Sequence, residues 1–176
     1  MSEKIILRKE TYADFADIFE VNKMAFGQED EAKLVSALRN NAAVFVPELS
    51  IVATENNKIV GHILFTKIII KGEQGNNYES LGLAPMSVRP ELQRKGIGGL
   101  LIKKGLEIAT GLGFKSVIVL GHEHYYPKFG FEPAGKWSIK APFDVPSNVF
   151  MAIELIKDGL ENISGTVIYP REFETV

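Results

Sequence analysis

Gly96, Gly98 and Gly99 fall within four positions, between a strand-like run, Leu81–Val88, and a helix-like run, Leu100–Leu112. No other feature constrains the chain as strongly. Glycines without Cβ let the backbone approach a ligand, and a helix that follows them supplies unpaired N–H groups and the positive end of its dipole. The stretch Gln93-Arg94-Lys95-Gly96-Ile97-Gly98-Gly99 is therefore suited to an anion. Arg94 and Lys95 add charge, and from Arg89 to Lys104 five basic residues stand against the one acid Glu91. A diphosphate fits such a cradle.

The surrounding residues separate the known kinds of phosphate loop. A Walker loop requires Gly-Lys-Ser/Thr, which does not occur. A dinucleotide fingerprint requires a third glycine where this chain has Leu101, a tight turn directly off the strand, and an acid about twenty residues on, near Ile118. Here the glycines instead follow a basic loop opened by Arg89-Pro90. Beyond the helix, the apolar run Val117-Ile118-Val119-Leu120 leads into Gly121-His122-Glu123-His124-Tyr125-Tyr126-Pro127-Lys128-Phe129-Gly130-Phe131. A loop, a helix of about four turns, a short strand and a tyrosine-bearing turn make one βαβα unit, and the right-handed crossover sets its strands side by side. Loop and tyrosines then flank one cleft.

These two segments resemble the Gln/Arg-x-x-Gly-x-Gly/Ala and Tyr-x-x-x-Gly-Phe patterns of the GNAT superfamily of N-acetyltransferases. Val60-Gly61-His62-Ile63-Leu64-Phe65, Gly82-Leu83-Ala84-Pro85 and Val145-Pro146 with Phe150-Met151-Ala152 extend the resemblance over nearly the whole chain, toward the YhbS-like branch. The resemblance implies acetyl-CoA as co-substrate, with its pyrophosphate on Gln93, Arg94, Lys95, Gly96, Ile97, Gly98 and Gly99. It also implies that two central parallel strands splay and that backbone around Met86, Ser87 and Val88 holds the pantetheine arm. Tyr126 matches the family tyrosine and is the implied acid for the departing thiolate; Tyr125, beside it at the cofactor, is the fallback.

Composition bounds the same answer independently. At 176 residues and 45% hydrophobic, the chain suits one well-buried core, since domains usually run about 100–150 residues. A net charge of −2 disfavours a general nucleic-acid binder, which must neutralise many phosphates. There are no cysteines, so disulfides, thiolate metal sites and a cysteinyl acyl-enzyme are excluded. No secretory segment is evident and no apolar run approaches the roughly eighteen residues of a membrane span, so a cytoplasmic protein is expected.

Read coarsely, strands and helices alternate without linker or repeat. Lys4–Arg8 reads as a strand, and Thr11 with Asp14 gives a capping-box-like start to a helix through about Ala25. A second helix is expected over about Glu31–Arg39. Leu49–Thr54 and Ile59–Ile70 read as strands joined by a turn at Asn56-Asn57, and Gly72–Asn77 as a turn before the strand from Tyr78. In the helix after the loop, Ile97, Leu101, Ile108 and Leu112 recur on one face. Val149–Leu155 and Thr166–Tyr169 offer further strands. Pro85 cannot donate to a neighbouring strand, so the ladder should break there. The expected fold is thus a single GNAT-like α/β domain over residues 1–176, with a mixed, mainly antiparallel sheet, one splayed parallel strand pair, and helices on both faces.

The expected chemistry is direct attack of a primary amine on the acetyl thioester in a ternary complex, with a backbone N–H freed at the bulge stabilising the oxyanion. No Gly-x-Ser-x-Gly elbow supports a serine-hydrolase route. The general base is left open between His62 and a water relay; His62 sits in an apolar run, where a histidine usually has a structural place. His122 and His124 lack the spacing of a metal site, and no metal is expected. Glu29-Asp30-Glu31 reads as acids complementing a helix start. The alternative to an enzyme is a coenzyme A-binding sensor or regulatory module without turnover. Expected partners are a small-molecule or peptide amine acceptor, with no nucleic acid and no membrane; a homodimer is compatible with the sequence.

Overall fold

A computed structural model of the chain describes residues 4–176. Its elements run β1 (Ile6–Lys9), α1 (Phe15–Phe26), α2 (Asp30–Arg39), β2 (Phe45–Glu55), β3 (Lys58–Lys71), β4 (Asn77–Val88), α3 (Ile97–Gly111), β5 (Ser116–Leu120), β6 (Glu132–Pro133), β7 (Ile139–Lys140), β8 (Phe150–Glu154) and β9 (Gly165–Ile168), with short 3-10 helices between them. None of the described helices is long and apolar enough to cross a membrane.

Local chemistry explains the boundaries. Ahead of α1, the Thr11 N–H donates to Asp14 Oδ2 at 2.7 Å, as a capping box requires. Arg8 grips the same carboxylate through Nη1 at 2.6 Å and Nη2 at 2.9 Å, and this bonding holds the Asp14 pKa down to about 2. Gly27 ends α1 in the left-handed region at φ 70°, the usual device for a helix stop. Asn56 and Asn57 both have positive φ, 51° and 62°, which gives β2 and β3 the two-residue turn whose twist matches a hairpin.

The strands form one sheet in the order β1-β2-β3-β4-β5-β8-β6. Its pairings along that path are antiparallel except at the centre, where β4 and β5 run parallel, with Leu81 opposite Val117 and Gly82 opposite Ile118. Beyond where β2 leaves β3, β9 takes over the same edge through Ile69–Lys71. β7 adds a short parallel contact to β9. The sheet is covered on both faces, so β3 is buried over almost its whole length, as expected of a doubly covered strand. Ile63 and Phe65 face the core beneath α3. Leu64, with Val52 and Ile59, faces Ile18 and Val21 of α1 and Leu34, Val35 and Leu38 of α2.

Pro85 breaks the ladder as its missing N–H requires. Ile63 pairs with Met86 and Phe65 with Leu83, so β4 spends one residue more than β3 over this interval, which is a β-bulge.

The helix after the glycine loop departs from the sequence expectation in two ways. It begins at Ile97, so Gly98 and Gly99 lie in its first turn rather than in the loop. Its buried face is Ile97, Leu101, Ile102, Gly105 and Ala109, while Leu112 is 45% exposed. The centre of that face is a glycine, which a hydrophobic pattern cannot register. A Cβ on Gly105 would come within 2.0 Å of Phe65 Cε2, so the helix backbone rests directly on that ring.

His62 is fully buried on the α1 side of β3. Asn22 Nδ2 donates to Ile18 O at 3.0 Å and lies 3.4 Å from His62 Nδ1. The amide nitrogen thus faces the ring, Nδ1 accepts, and Nε2–H donates to Ser50 Oγ at 2.9 Å. Burial, with the nearby Arg39 charge, lowers the His62 pKa to about 3, so this imidazole is a neutral structural link.

Gly105→Ala is expected to lower stability by about 1–3 kcal/mol through overpacking against Phe65, read as a drop in the urea midpoint with an unchanged slope. The depressed His62 pKa also sets a sign. The unfolded chain binds a proton below pH 6.5 that the folded chain refuses down to about pH 3. This histidine therefore destabilises the fold progressively as pH falls through that window, by up to about 1.4 kcal/mol per unit. Urea unfolding between pH 7 and pH 5 should show a shallower pH dependence for His62→Gln than for the wild type.

Candidate active site

The site is built where β4 and β5 part. Their pairing runs only through Leu81–Val117 and Gly82–Ile118; just before it, Ser80 Oγ meets Ser116 Oγ at 2.7 Å. From Leu83 onward β4 leaves β5, and the gap opens into a cleft of about 650 Å³. Met86, Ser87 and Val88 line it from the β4 edge, where the sequence reading places the pantetheine arm. The Ser87 hydroxyl is buried without a hydrogen-bond partner, whereas the Val88 carbonyl already accepts from Gln93 Nε2 at 3.0 Å.

The second wall is the glycine loop. Arg94 and Gly96 adopt positive φ, 63° and 88°, and turn the chain into the first turn of α3. The first helical bond is Leu100 N–H to Gly96 O at 3.1 Å, so the amides of Ile97, Gly98 and Gly99 have no partner within the helix. Gln93, Arg94, Gly96, Ile97, Gly98 and Gly99 all line the cleft. Free N–H groups, the helix dipole and the Arg94 guanidinium make this end suited to a diphosphate. Lys95, assigned to the loop site from sequence, is exposed and lies outside the cleft lining, next to the positive-φ turn at Arg94.

The third wall comes from the turn after β5. The His122 carbonyl accepts the N–H of Tyr125 at 3.1 Å and of Tyr126 at 3.3 Å, which fixes both tyrosines in one turn. Tyr126 lies flat over Gly121, where a Cβ would meet its Cε2 at 2.3 Å. Its ring packs edge-on to Phe131 and Tyr125, with centroids 5.5 and 5.2 Å apart. Tyr125 reaches back to the loop: a Cβ on Gly98 would stand 3.0 Å from its hydroxyl and 3.2 Å from Met86 Cε. Burial, then the neighbouring Tyr125, pushes the Tyr126 pKa up to about 12, and burial raises that of Tyr125. Both phenols stay protonated near neutral pH and can donate.

Four lining residues escape the sequence reading. Ala25 and Phe26 come from the last turn of α1, Leu92 from the short helix before the loop, and His122 from the segment after β5. The first three are apolar residues carried in by tertiary packing. His122 had a local signal in its place four residues before Tyr126, on the segment that carries both tyrosines. His62, the base considered from sequence, is sealed in its bonds to Asn22 and Ser50 and does not reach the cleft. Glu29 is likewise committed elsewhere, to Lys23 at 3.3 Å and Lys33 at 3.2 Å.

Comparison with known proteins gives this arrangement its family. Residues 11–131 match the acetyltransferase (GNAT) family. An uncharacterized N-acetyltransferase of Escherichia coli K12, YjhQ, is 44% identical over 135 residues, 76% of this chain and 74% of that protein. The uncharacterized N-acetyltransferase YhbS of the same strain is 27% identical over 170 residues, 96% of this chain and 98% of that protein. The crystal structure of the Escherichia coli GNAT family N-acetyltransferase YhbS in complex with CoA superposes with a TM-score of 0.90 at 26% identity, over 99% of this chain and 94% of that one. A GNAT family acetyltransferase from Brucella melitensis, crystallised with acetyl-CoA, superposes with a TM-score of 0.78 at 32% identity, over 98% of this chain and 99% of that one. The overall fold is thus shared with solved relatives, and the chain belongs to the GNAT family of acetyltransferases.

Proposed function

We propose that this chain moves an acetyl group from acetyl-CoA to a primary amine by direct attack within a ternary complex. The observation that carries the reading is Tyr126: a phenol held protonated by burial, with its pKa near 12, in the wall of the same cleft as an anion-binding helix start. The two solved relatives with CoA and acetyl-CoA support the ligand.

Acetyl-CoA supplies an acyl group activated as a thioester; the chain supplies place and protons. The amides of Ile97, Gly98 and Gly99, with Arg94, would hold the diphosphate. The open β4 edge at Met86 and Ser87 would receive the pantetheine arm, and a backbone N–H near the bulge would face the carbonyl oxygen as charge develops. The amine lone pair forms the new C–N bond, the C–S bond breaks, the Tyr126 hydroxyl gives its proton to the leaving sulfur, and the nitrogen gives up one proton, which balances the count when the phenol is restored. A screen of primary amines against acetyl-CoA, read by release of free thiol, tests the proposal. Coenzyme A binding with no thiol released from any amine would instead support a binding module.

The two walls can be tested separately. Gly98→Val sets a branched side chain against the Tyr125 hydroxyl and Met86 and should abolish coenzyme A binding in calorimetry, with circular dichroism confirming the fold; near-wild-type affinity would remove the loop from the diphosphate site. Tyr126→Phe keeps the ring and removes the O–H. Turnover should fall by about a hundredfold or more with coenzyme A affinity barely changed, while Tyr125→Phe stays mild. The reverse ranking would transfer the acid role to Tyr125.

A further inference from the structure

We infer that His122 is the catalytic base of the site, taking the proton that the acceptor nitrogen loses as it attacks the thioester. The inference rests on the acetyl-transfer reading above and deepens it. Among the described residues that line the cleft none is Asp or Glu; the titratable side chains there are Arg94, His122, Tyr125 and Tyr126. Guanidinium does not give up its proton in proteins, and the two phenols are donors. Imidazole is the side chain that exchanges a proton between about pH 5 and 8, and in this lining it occurs once.

The turn places it well for this. Its carbonyl accepts the amide of Tyr126 at 3.3 Å, so base and acid stand four residues apart on one turn and both line the cleft. Proton acceptance and proton donation are thus built on a single piece of backbone. The charged and titratable groups that share the cleft lining with His122 are Arg94 from the loop and Tyr125 and Tyr126 from its own turn, and Glu123 is next in sequence. Glu123 lies 3.8 Å from His124 Nε2, and the His124 side chain is 93% exposed. The protons balance. One passes from the nitrogen to His122 and one from Tyr126 to the sulfur, and both groups return to their starting states by exchange with solvent.

Two measurements test the inference. In protein labelled with ¹³C at histidine, addition of acetyl-CoA should shift the ring signals of His122 and leave those of His124 in place; no shift of His122 at saturation would overturn the placement. With an amine that the wild type acetylates, His122→Gln should lower kcat/KM about a hundredfold at pH 7 and alter its pH profile, with coenzyme A affinity by calorimetry unchanged, while His124→Gln keeps both rate and profile. A His122→Gln enzyme with the wild-type profile would overturn the base assignment alone, and loss of coenzyme A binding in that variant would make His122 part of the cofactor site instead. If the wild type acetylates no amine, the acetyl-transfer reading falls and the base assignment falls with it.

Discussion

The parting of β4 from β5 is the constraint on which everything else in this structure depends. The strands are joined through Leu81–Val117 and Gly82–Ile118, with the Ser80–Ser116 hydroxyl pair just before them. Past that point the bulge around Pro85 draws β4 along β3 out of step, and among the described residues no ladder pair continues on the β5 side. An unpaired strand edge inside a protein carries backbone groups that need partners, so the gap is suited to an extended, polar ligand. Both functional walls hang from the ends of the strands that define it: β4 feeds the glycine loop and α3, and β5 feeds the turn that carries His122, Tyr125 and Tyr126. The cleft thus lies beyond the carboxyl ends of the one parallel pair at the centre of the sheet, a place that suits ligands in open sheets.

Burial sorts the polar residues into roles. His62 and His122 are the same residue type, one with its nitrogens committed to Asn22 and Ser50 in the core, the other exposed in the cleft lining. Tyr126 shows the intermediate case. It is buried enough to keep its proton, yet remains part of the wall that a ligand would touch. The positive charge facing the cleft is Arg94 together with the helix start, while Ala25 and Phe26 add apolar lining.

Much of this was legible in the sequence because local chemistry and global fold agree. The Asn56-Asn57 turn, the Thr11–Asp14 cap and the Pro85 bulge each follow from the conformational limits of the residues themselves, and the loop and tyrosine segments line one cleft. What was not legible came from contacts between distant segments. The start of α3 was read past Gly98 and Gly99 because glycines score poorly in helices, although here free amides are what the turn supplies. The buried face was rotated toward Leu112 because Gly105 carries no hydrophobic signal. Ala25 and Phe26 could not be placed at the site from sequence, since nothing local tells the end of α1 that it faces the splayed strands.

The contact between Gly105 and Phe65 has a consequence for how such a protein can change. α3 presents the cleft amides from its first turn and lies on the Phe65 ring two turns later, and Phe65 pairs with Leu83 at the edge of the bulge. Depth of the helix, height of the ring and course of β4 are therefore one dimension rather than three. A lineage drifting in sequence could repaint the outer surface of α3 freely, yet any change in core volume beneath it would move the walls of the cleft at the same stroke. Core and cleft in this fold are inherited together.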